Sequence, residues 1–191
     1  MGCYMNDITN EGPTVGPNLA EIPADVAQVL SDRNAKQVNL YRALSHSPEL
    51  VRAWMDFIWK LRDDCLTPRS LRELVILRTA VRHDSPYEWH HHVAMAEMAG
   101  VSTVQIAEIA NWKESSVYDG TERAALALTD AICDGTVSPE DRATAMRSFD
   151  ERAFVEVVLT AAAYVMVPRV LSALAVPLEG DVGTSSGGET N

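Results

Sequence analysis

Four hydroxyl–proline pairs constrain the fold more than any other feature of the sequence. They are Ser47-Pro48, Thr67-Pro68, Ser85-Pro86 and Ser138-Pro139. A serine or threonine oxygen can cap the free N–H groups at the start of a helix. Proline is tolerated at the first helical position, because its missing N–H would have no partner there. Each pair therefore predicts the start of a helix.

The residues after these starts continue the helical pattern. Ser85 and Ser102 are followed three residues later by Glu88 and Gln105, which is the spacing of a capping box. Apolar residues then recur every three or four positions, and no stretch shows the alternation of a strand. The sequence predicts an all-α, single-domain helical bundle, with the most apolar helix either central or at a subunit interface. The predicted helices lie near 24–31, 36–45, 48–63, 68–83, 86–99, 103–110, 120–133, 139–147 and 150–174.

Both ends of the chain lack this periodicity. Residues 1–22 are rich in Gly, Pro, Asn and Thr, and we expect a flexible N-terminal arm there. Residues 179–191 are rich in Gly and Ser and predict a disordered tail. One helical domain over 23–178 lies between them, and its length suits a single core.

Composition excludes several classes of function. The net charge of −11 over 191 residues disfavours nucleic acid and an anionic membrane surface as partners. The longest apolar run, 153–167, is interrupted by Glu156, so we expect no membrane-spanning helix. The three cysteines, Cys3, Cys65 and Cys133, are too widely spaced for a disulfide framework or a zinc site. No segment has the pattern of a signal peptide, and we expect a cytoplasmic protein with a small-molecule substrate.

The run His90-His91-His92 is the main candidate for chemistry. A helix turns about 100° per residue, so the three imidazoles point in different directions and cannot share one metal ion. His92 has Glu88 four residues before it on the same helical face. His90 and His91 are expected at the surface or at an interface. An imidazole beside a carboxylate is a general acid/base unit, which makes His92 the candidate catalytic residue.

Glu73, on the preceding helix, supplies a second carboxylate if the two helices pack antiparallel. Two carboxylates around one imidazole would separate their pKa values, and with them the acid and base roles. Other interpretations remain open at this stage. Glu88 could serve only as a helix cap, and Glu73 could be a solvated partner of the arginines around it. A metal site with His83 is the weakest alternative, because no spacing requires it.

The segment LTPRSLRELVILRTAVRHDSPYEWHHHVAMAEMAGVSTVQIAEIANW resembles the central motif of the carboxymuconolactone decarboxylase family, which includes the alkylhydroperoxidase D-like (AhpD-like) proteins. Flanking segments extend the resemblance over about 36–178. It implies an all-α domain in homotrimers or homohexamers, with sites near subunit interfaces. The peroxidase branch carries a glutamate, a C-x-x-C and a histidine, which fall on Glu73, on Ser85 and Glu88, and on His92. Both thiols are absent.

The missing thiols assign the chain to a cysteine-free branch and disfavour a thiol peroxidase, which needs an attacking and a resolving cysteine. The resemblance then implies a lyase similar to the decarboxylase that converts a carboxymuconolactone to an enol-lactone without a cofactor. We expect decarboxylation or proton-transfer isomerisation of a small carboxylated lactone or carbonyl compound, in aromatic catabolism or secondary metabolism. His92 would donate the proton, Glu88 would orient it, and Glu73 would tune or relay it. No metal and no cofactor is expected.

Three residues are candidates for substrate binding. Tyr87 and Trp89 could form walls of the pocket, with Trp89 equally open to a place in the core. Arg169 could clamp a substrate carboxylate if it points inward, and otherwise would be a surface arginine. A non-catalytic oligomeric binding or scaffold protein is the alternative from another class. A collapsed pocket, or a Glu73 turned to solvent, would favour it.

Overall fold

A computed structural model describes residues 18–180, and within that range it contains nine α-helices and no strand. The predicted all-α fold class is confirmed. A 3-10 helix, Ile109–Asn111, follows the sixth helix. The helices are α1 (Ala24–Asp32), α2 (Asn39–Leu44), α3 (Pro48–Asp63), α4 (Arg69–Arg82), α5 (Pro86–Met98), α6 (Thr103–Glu108), α7 (Gly120–Cys133), α8 (Pro139–Ala145) and α9 (Glu151–Ala173).

The predicted caps hold at three helices and fail at two. The side chains of Ser85, Ser102 and Ser138 each accept a hydrogen bond from a backbone N–H three residues later. Ser47 makes no such bond, although α3 begins at the proline after it. Thr67 makes none either, because α4 begins only at Arg69.

Glu156, on α9, binds the turn that precedes α4. Its carboxylate accepts hydrogen bonds from the backbone N–H groups of Leu66, at 3.0 Å, and Thr67, at 2.8 Å. Burial would raise the pKa of Glu156, but these bonds and the one from Arg152 outweigh it and lower the pKa to about 2. The ionised carboxylate therefore ties α9 to the turn before α4.

The centre of the domain is α4. Every residue from Leu71 to Ala80 is buried, because α5, α7 and α9 pack around this helix. The sequence predicted α9 either at the centre or at a subunit interface. The first alternative is wrong, because α4 and not α9 is the central helix. α9 packs on one side of α4 and leaves Val155, Leu159 and Met166 exposed. These three side chains form an apolar strip on the outer face of α9.

Within the described range, α9 is long and apolar enough to cross a membrane, judged by length and composition alone. Contrary to the expectation from the sequence, Glu156 therefore does not make the apolar stretch too short to span a membrane. Half of the most apolar window of α9 is buried inside the domain. Tyr164 and Val167 in that window pack on Leu40 and Ile58, as expected for a core helix.

The ends of the described range pack on the domain. Ala20, expected in a flexible arm, donates its backbone N–H to the carbonyl of Arg42 at 3.2 Å. Glu179 was predicted to begin a disordered tail, but its carboxylate accepts a hydrogen bond from the backbone N–H of Asn39 at 2.6 Å. The tail prediction ignored this partner because it is distant in sequence. The remaining parts of both segments, 1–17 and 181–191, lie outside the described residues.

Candidate active site

The turn between α4 and α5 brings the predicted catalytic residues together. Asp84 has a positive φ of 47°, and the N–H of Ser85 donates to the carbonyl of Ala80 at 2.9 Å. The chain reverses at this point, and α5 packs along α4. As a result, Glu73 on α4 and His92 on α5 lie side by side, as the sequence predicts for two antiparallel helices.

His92 lies between two carboxylates. Its Nδ1 is 2.8 Å from Oε2 of Glu73, and its Nε2 is 3.5 Å from Oε2 of Glu88. The imidazole is buried, and its ring meets the ring of Tyr164 edge to face, with 5.0 Å between the centroids. Because an ionised carboxylate can only accept, Nδ1–H of His92 donates to Glu73. This bond leaves Nε2 facing Glu88.

The two carboxylates have opposite pKa shifts. Burial would raise the pKa of Glu73, but the hydrogen bond and charge of His92, with the charge of Arg69, outweigh it and lower the pKa. Burial raises the pKa of Glu88, and the nearby charge of Glu73 adds to the rise, against His92 and Arg62. Glu73 is therefore the ionised member and Glu88 the member that holds a proton more readily.

Glu88 is more than a helix cap. Its backbone N–H donates to Oγ of Ser85 at 3.5 Å, but its carboxylate does not return a bond to Ser85. The reciprocal half of the predicted capping box is therefore missing. The Glu88 carboxylate is buried and lies beside His92 instead.

A cavity of about 730 Å³ opens beside His92 and Glu88. It lies between α3, α5, α9 and the connection from α1 to α2. Glu88 and His92 line it, whereas Glu73 is fully buried behind them. The volume is in the range of small-molecule sites. Aromatic and apolar walls are formed by Tyr41, Trp54, Trp59, Tyr87, Met95 and Tyr164.

Arg62 lines the cavity, and its positive charge opposes the rise in the pKa of Glu88. Its guanidinium stacks over the ring of Trp59, 4.6 Å from the centroid, and Nη2 lies 3.4 Å from Sδ of Met95. Arg33 approaches the same indole at 5.2 Å. Within 18–180, the indole N–H of buried Trp59 has no hydrogen-bond partner. The two guanidinium groups give this wall of the cavity a positive charge.

Residues 48–131, which include the α4–α5 pair, match the family model described as "Carboxymuconolactone decarboxylase family". Over these residues the chain is similar to the carboxymuconolactone decarboxylase family, as the sequence motif predicts. No curated protein matches the sequence. The family's peroxidase pattern has cysteines where this chain has Ser85 and Glu88, so the residue beside His92 is a carboxylate rather than a thiol.

Solved structures share the AhpD-like fold at low sequence identity. An uncharacterised peroxidase-related protein from Silicibacter sp. TM1040 has 15% identity and a TM-score of 0.76, over 91% of this chain and 96% of that one. An AhpD core protein from Ralstonia eutropha JMP134 has 16% identity and a TM-score of 0.74, over 88% and 94%. The debrominase Bmp8, as an alanine variant in complex with 2,3,4-tribromopyrrole, has 18% identity and a TM-score of 0.74, over 87% and 94%.

The three predicted substrate-binding residues lie in different places. Tyr87 lines the cavity, as expected. Trp89 does not, because it packs with Leu77 in the core on another side of α5. Arg169 is exposed on α9, and its guanidinium donates to the carbonyl of Val165. Of the alternatives that the sequence left open, Trp89 therefore has the place at the core and Arg169 the place at the surface.

His91 and Glu179 are cavity residues that the sequence did not identify. His91 is half-buried, and its ring lies 4.6 Å from that of Tyr87. Its Nε2 is 2.7 Å from the Glu179 carboxylate, which also accepts from Tyr87 Oη at 2.8 Å. His91 is therefore only partly at the surface, whereas His90 is exposed, and a place for either at a subunit interface stays a prediction. No local pattern links these partners, because 88 positions separate His91 from Glu179.

The described cysteines lie away from this chemistry. Cys65 and Cys133 are free, half-buried thiols, and neither lines the cavity. Burial raises the pKa of both, to about 11 at Cys133. Cys3 lies outside the described residues. Between residues 18 and 180, no group of three or more His, Cys, Asp or Glu side chains is arranged to hold a metal ion.

Proposed function

We propose that this chain is an acid/base enzyme that acts on a small carboxylated lactone or carbonyl compound, by decarboxylation or proton-transfer isomerisation. The observation that carries the proposal is the position of His92, held by Glu73 on one side and facing Glu88 and the cavity on the other. A positioned acid/base pair of this kind contributes about 10²–10⁴-fold to rate.

The geometry favours a division of roles that differs from the sequence-based expectation. Glu73 is fully buried behind His92, so it is a positioning residue that orients and polarises the imidazole. Glu88 and His92 both line the cavity and can reach a substrate. Glu88, with its raised pKa, is the proton donor, and Nε2 of His92 returns a proton to it.

A decarboxylation at this site needs only the substrate and water. The C–C bond to the substrate carboxylate breaks, CO₂ leaves, and the electron pair is delocalised as an enolate. Glu88 then gives its proton to the carbon that carried the carboxylate. A proton from water, passed through His92, restores Glu88, and the hydroxide that remains combines with the released CO₂ as bicarbonate. An isomerisation would use the same groups to remove a proton and return it to another carbon.

Arg62 is the proposed partner of the substrate carboxylate. Its guanidinium is half-buried in the cavity wall, and its charge acts on Glu88, which places the two groups near each other. The aromatic walls suit a flat or cyclic substrate, and both aromatic catabolism and secondary metabolism would supply such a compound.

The two other candidate functions are less well supported. The similarity to solved structures described as peroxidase-related is the argument for a thiol peroxidase. In this chain, however, the described cysteines have raised pKa values and lie outside the cavity. A scaffold protein has no need of an open cavity or of a fully buried Glu73 beside His92. Both features weigh against the scaffold.

We further propose that the protein is a homotrimer or homohexamer. The exposed apolar strip of α9, which consists of Val155, Leu159 and Met166, supports a contact between copies. An interface of this kind would shield the strip from water.

Decarboxylation in D₂O tests the proposed function. Carboxylated γ-lactones and β-keto acids are incubated with the protein, and ¹H NMR follows loss of substrate and deuterium in the product. The proposal predicts CO₂ release with one deuterium at the former carboxyl-bearing carbon, and turnover reduced at least 100-fold in His92→Gln. Turnover that is unchanged in His92→Gln, or that is lost on thiol alkylation, would overturn it.

A further inference from the structure

Glu179 marks a second anion-binding position at the mouth of the cavity. Its Oε1 accepts hydrogen bonds from the backbone N–H of Asn39, at 2.6 Å, and from Tyr87 Oη, at 2.8 Å. Its Oε2 lies 2.7 Å from Nε2 of His91. These three donors come from α2 and α5, and together they surround one carboxylate. The chain has thus built a carboxylate site and filled it with its own side chain.

This position is different from the Arg62 wall. His91 and Tyr87 lie on α5, and neither makes a hydrogen bond with Arg62, whose contacts are Trp59 and Met95. All of these residues nonetheless line the same cavity. One cavity therefore offers two sets of donors for negative charge, and at its mouth all three donors are bound to one carboxylate of the chain.

The segment that carries Glu179 is anchored independently of that carboxylate. After α9, the chain reverses at Ala175, where φ is 47°. Val176 and Leu178 pack on the apolar cluster beside the cavity. The carbonyl of Pro177 accepts a hydrogen bond from the side-chain amide of Asn39 at 3.1 Å. The Glu179 side chain can consequently leave its donors while the backbone beside it stays attached.

The Glu179 carboxylate is only partly withdrawn from water, since a third of its side chain is exposed. A competitor can reach its donors from the open side of the cavity. An incoming carboxylate would meet the same three donors, and the exchange conserves both charge and hydrogen bonds. Displacement therefore requires no buried charge to be left without a partner.

We propose that Tyr87, His91 and the backbone N–H of Asn39 form a subsite for an anionic group of the substrate, and that Glu179 competes for this subsite from within the chain. The inference rests on the proposed function, since it extends the same cavity to substrates with a second acidic group. Glu179 thereby lowers the affinity of this subsite for an external anion.

Equilibrium binding of benzoate, followed by tryptophan fluorescence from Trp54 and Trp59 in the cavity wall, tests this inference. Benzamide serves as the uncharged probe of the same shape. Glu179→Ala is expected to bind benzoate about tenfold more tightly than the unmodified chain and to change benzamide binding by less than about twofold. Glu97→Gln, which removes an exposed charge from α5 outside the cavity, is expected to change neither.

A double variant separates the subsite from a general effect of charge. In Glu179→Ala/His91→Gln the gain in benzoate affinity is expected to disappear, because a donor of the subsite is lost. Unchanged or weaker benzoate binding in Glu179→Ala, or a gain that survives in the double variant, would overturn the inference. Both readouts are independent of turnover, so an inactive protein that binds benzoate as predicted would count against the proposed function alone.

Discussion

Glu73 and His92 are joined by a 2.8 Å contact between Oε2 and Nδ1, although 19 positions separate them in the sequence. The contact is buried, and it connects the central helix α4 to α5. Because Glu73 fixes the proton on Nδ1, the other ring nitrogen faces Glu88. The orientation of the imidazole is thus set from the core, and the chemistry is directed towards the cavity.

Glu73→Gln should lower kcat by about 10²-fold with a smaller effect on KM. The amide keeps the size of the side chain but removes the charge that holds Nδ1–H of His92. Steady-state kinetics on the first substrate that the decarboxylation assay identifies would measure the effect. Glu97→Gln is the matched control, because Glu97 is exposed on α5. Equal kinetics in Glu73→Gln and the control would contradict a positioning role.

Glu88→Gln should change the pH profile as well as the rate. Burial raises the pKa of Glu88, and the proposed donor is its protonated form. The rate of the unmodified enzyme should therefore fall as pH rises through that pKa. Glu88→Gln should have a low rate and no decline from this group. A variant that keeps the same alkaline decline would show that another group titrates.

Arg62→Met should raise KM for a carboxylated substrate by about tenfold or more, since hydrogen bonds to charged groups are worth about 1.5–3 kcal/mol. Arg62 lines the cavity, and methionine keeps the apolar contact with Trp59. Arg169→Met is the matched control, because Arg169 is exposed outside the cavity. If the control raised KM as much as Arg62→Met, the clamp would be misassigned.

Glu156→Gln should destabilise the fold by about 1–3 kcal/mol at neutral pH, because the N–H groups of Leu66 and Thr67 lose an ionised acceptor. The folded pKa of about 2 lies below the ordinary value of 4.5. The stabilisation is therefore present above pH 4.5 and is lost as pH falls towards about 2. Urea unfolding should show that the difference in free energy of unfolding between Glu156→Gln and the unmodified protein shrinks over this range. A difference in free energy of unfolding that does not change with pH would exclude the charge of Glu156 as its cause.

Leu159→Arg should shift the protein towards monomers, measured by light scattering after size-exclusion chromatography. Leu159 is 41% exposed in the middle of the apolar strip on α9, and a charge there would oppose contact between copies. Val104→Arg, at a position 51% exposed on α6, is the control. Should both variants keep the mass of the unmodified protein, the α9 strip would not be an interface.

The helices could be predicted because their signals are local. Caps at Ser85, Ser102 and Ser138 depend on residues three positions away, and the structure has them. Thr67 makes no cap because α4 begins two residues after it, at Arg69, and its Oγ1 accepts a hydrogen bond from the Arg72 side chain at 3.3 Å.

The candidate site was predictable only in its centre. The i, i+4 spacing indicated Glu88 as a partner of His92, and the family pattern indicated Glu73. The structure shows that the hydrogen bond to His92 is made by Glu73, at 2.8 Å, and that Glu88 lies at 3.5 Å. Arg62 and Glu179 lie on distant segments, and nothing in their neighbours marks them. Side chains such as these can be assigned to a cavity only once the packing of α3 and the C-terminal segment on α5 is known.

The tautomer of His92 tests the central claim most directly, and it requires no substrate. Long-range ¹H–¹⁵N NMR of the histidine rings, with the His92 signal assigned from His92→Gln, reports which nitrogen carries the proton. The proposed site predicts a proton on Nδ1 at neutral pH, a change in the Nδ1 signal in Glu73→Gln and a change in the Nε2 signal in Glu88→Gln. A neutral ring protonated on Nε2, or signals indifferent to both glutamates, would contradict it.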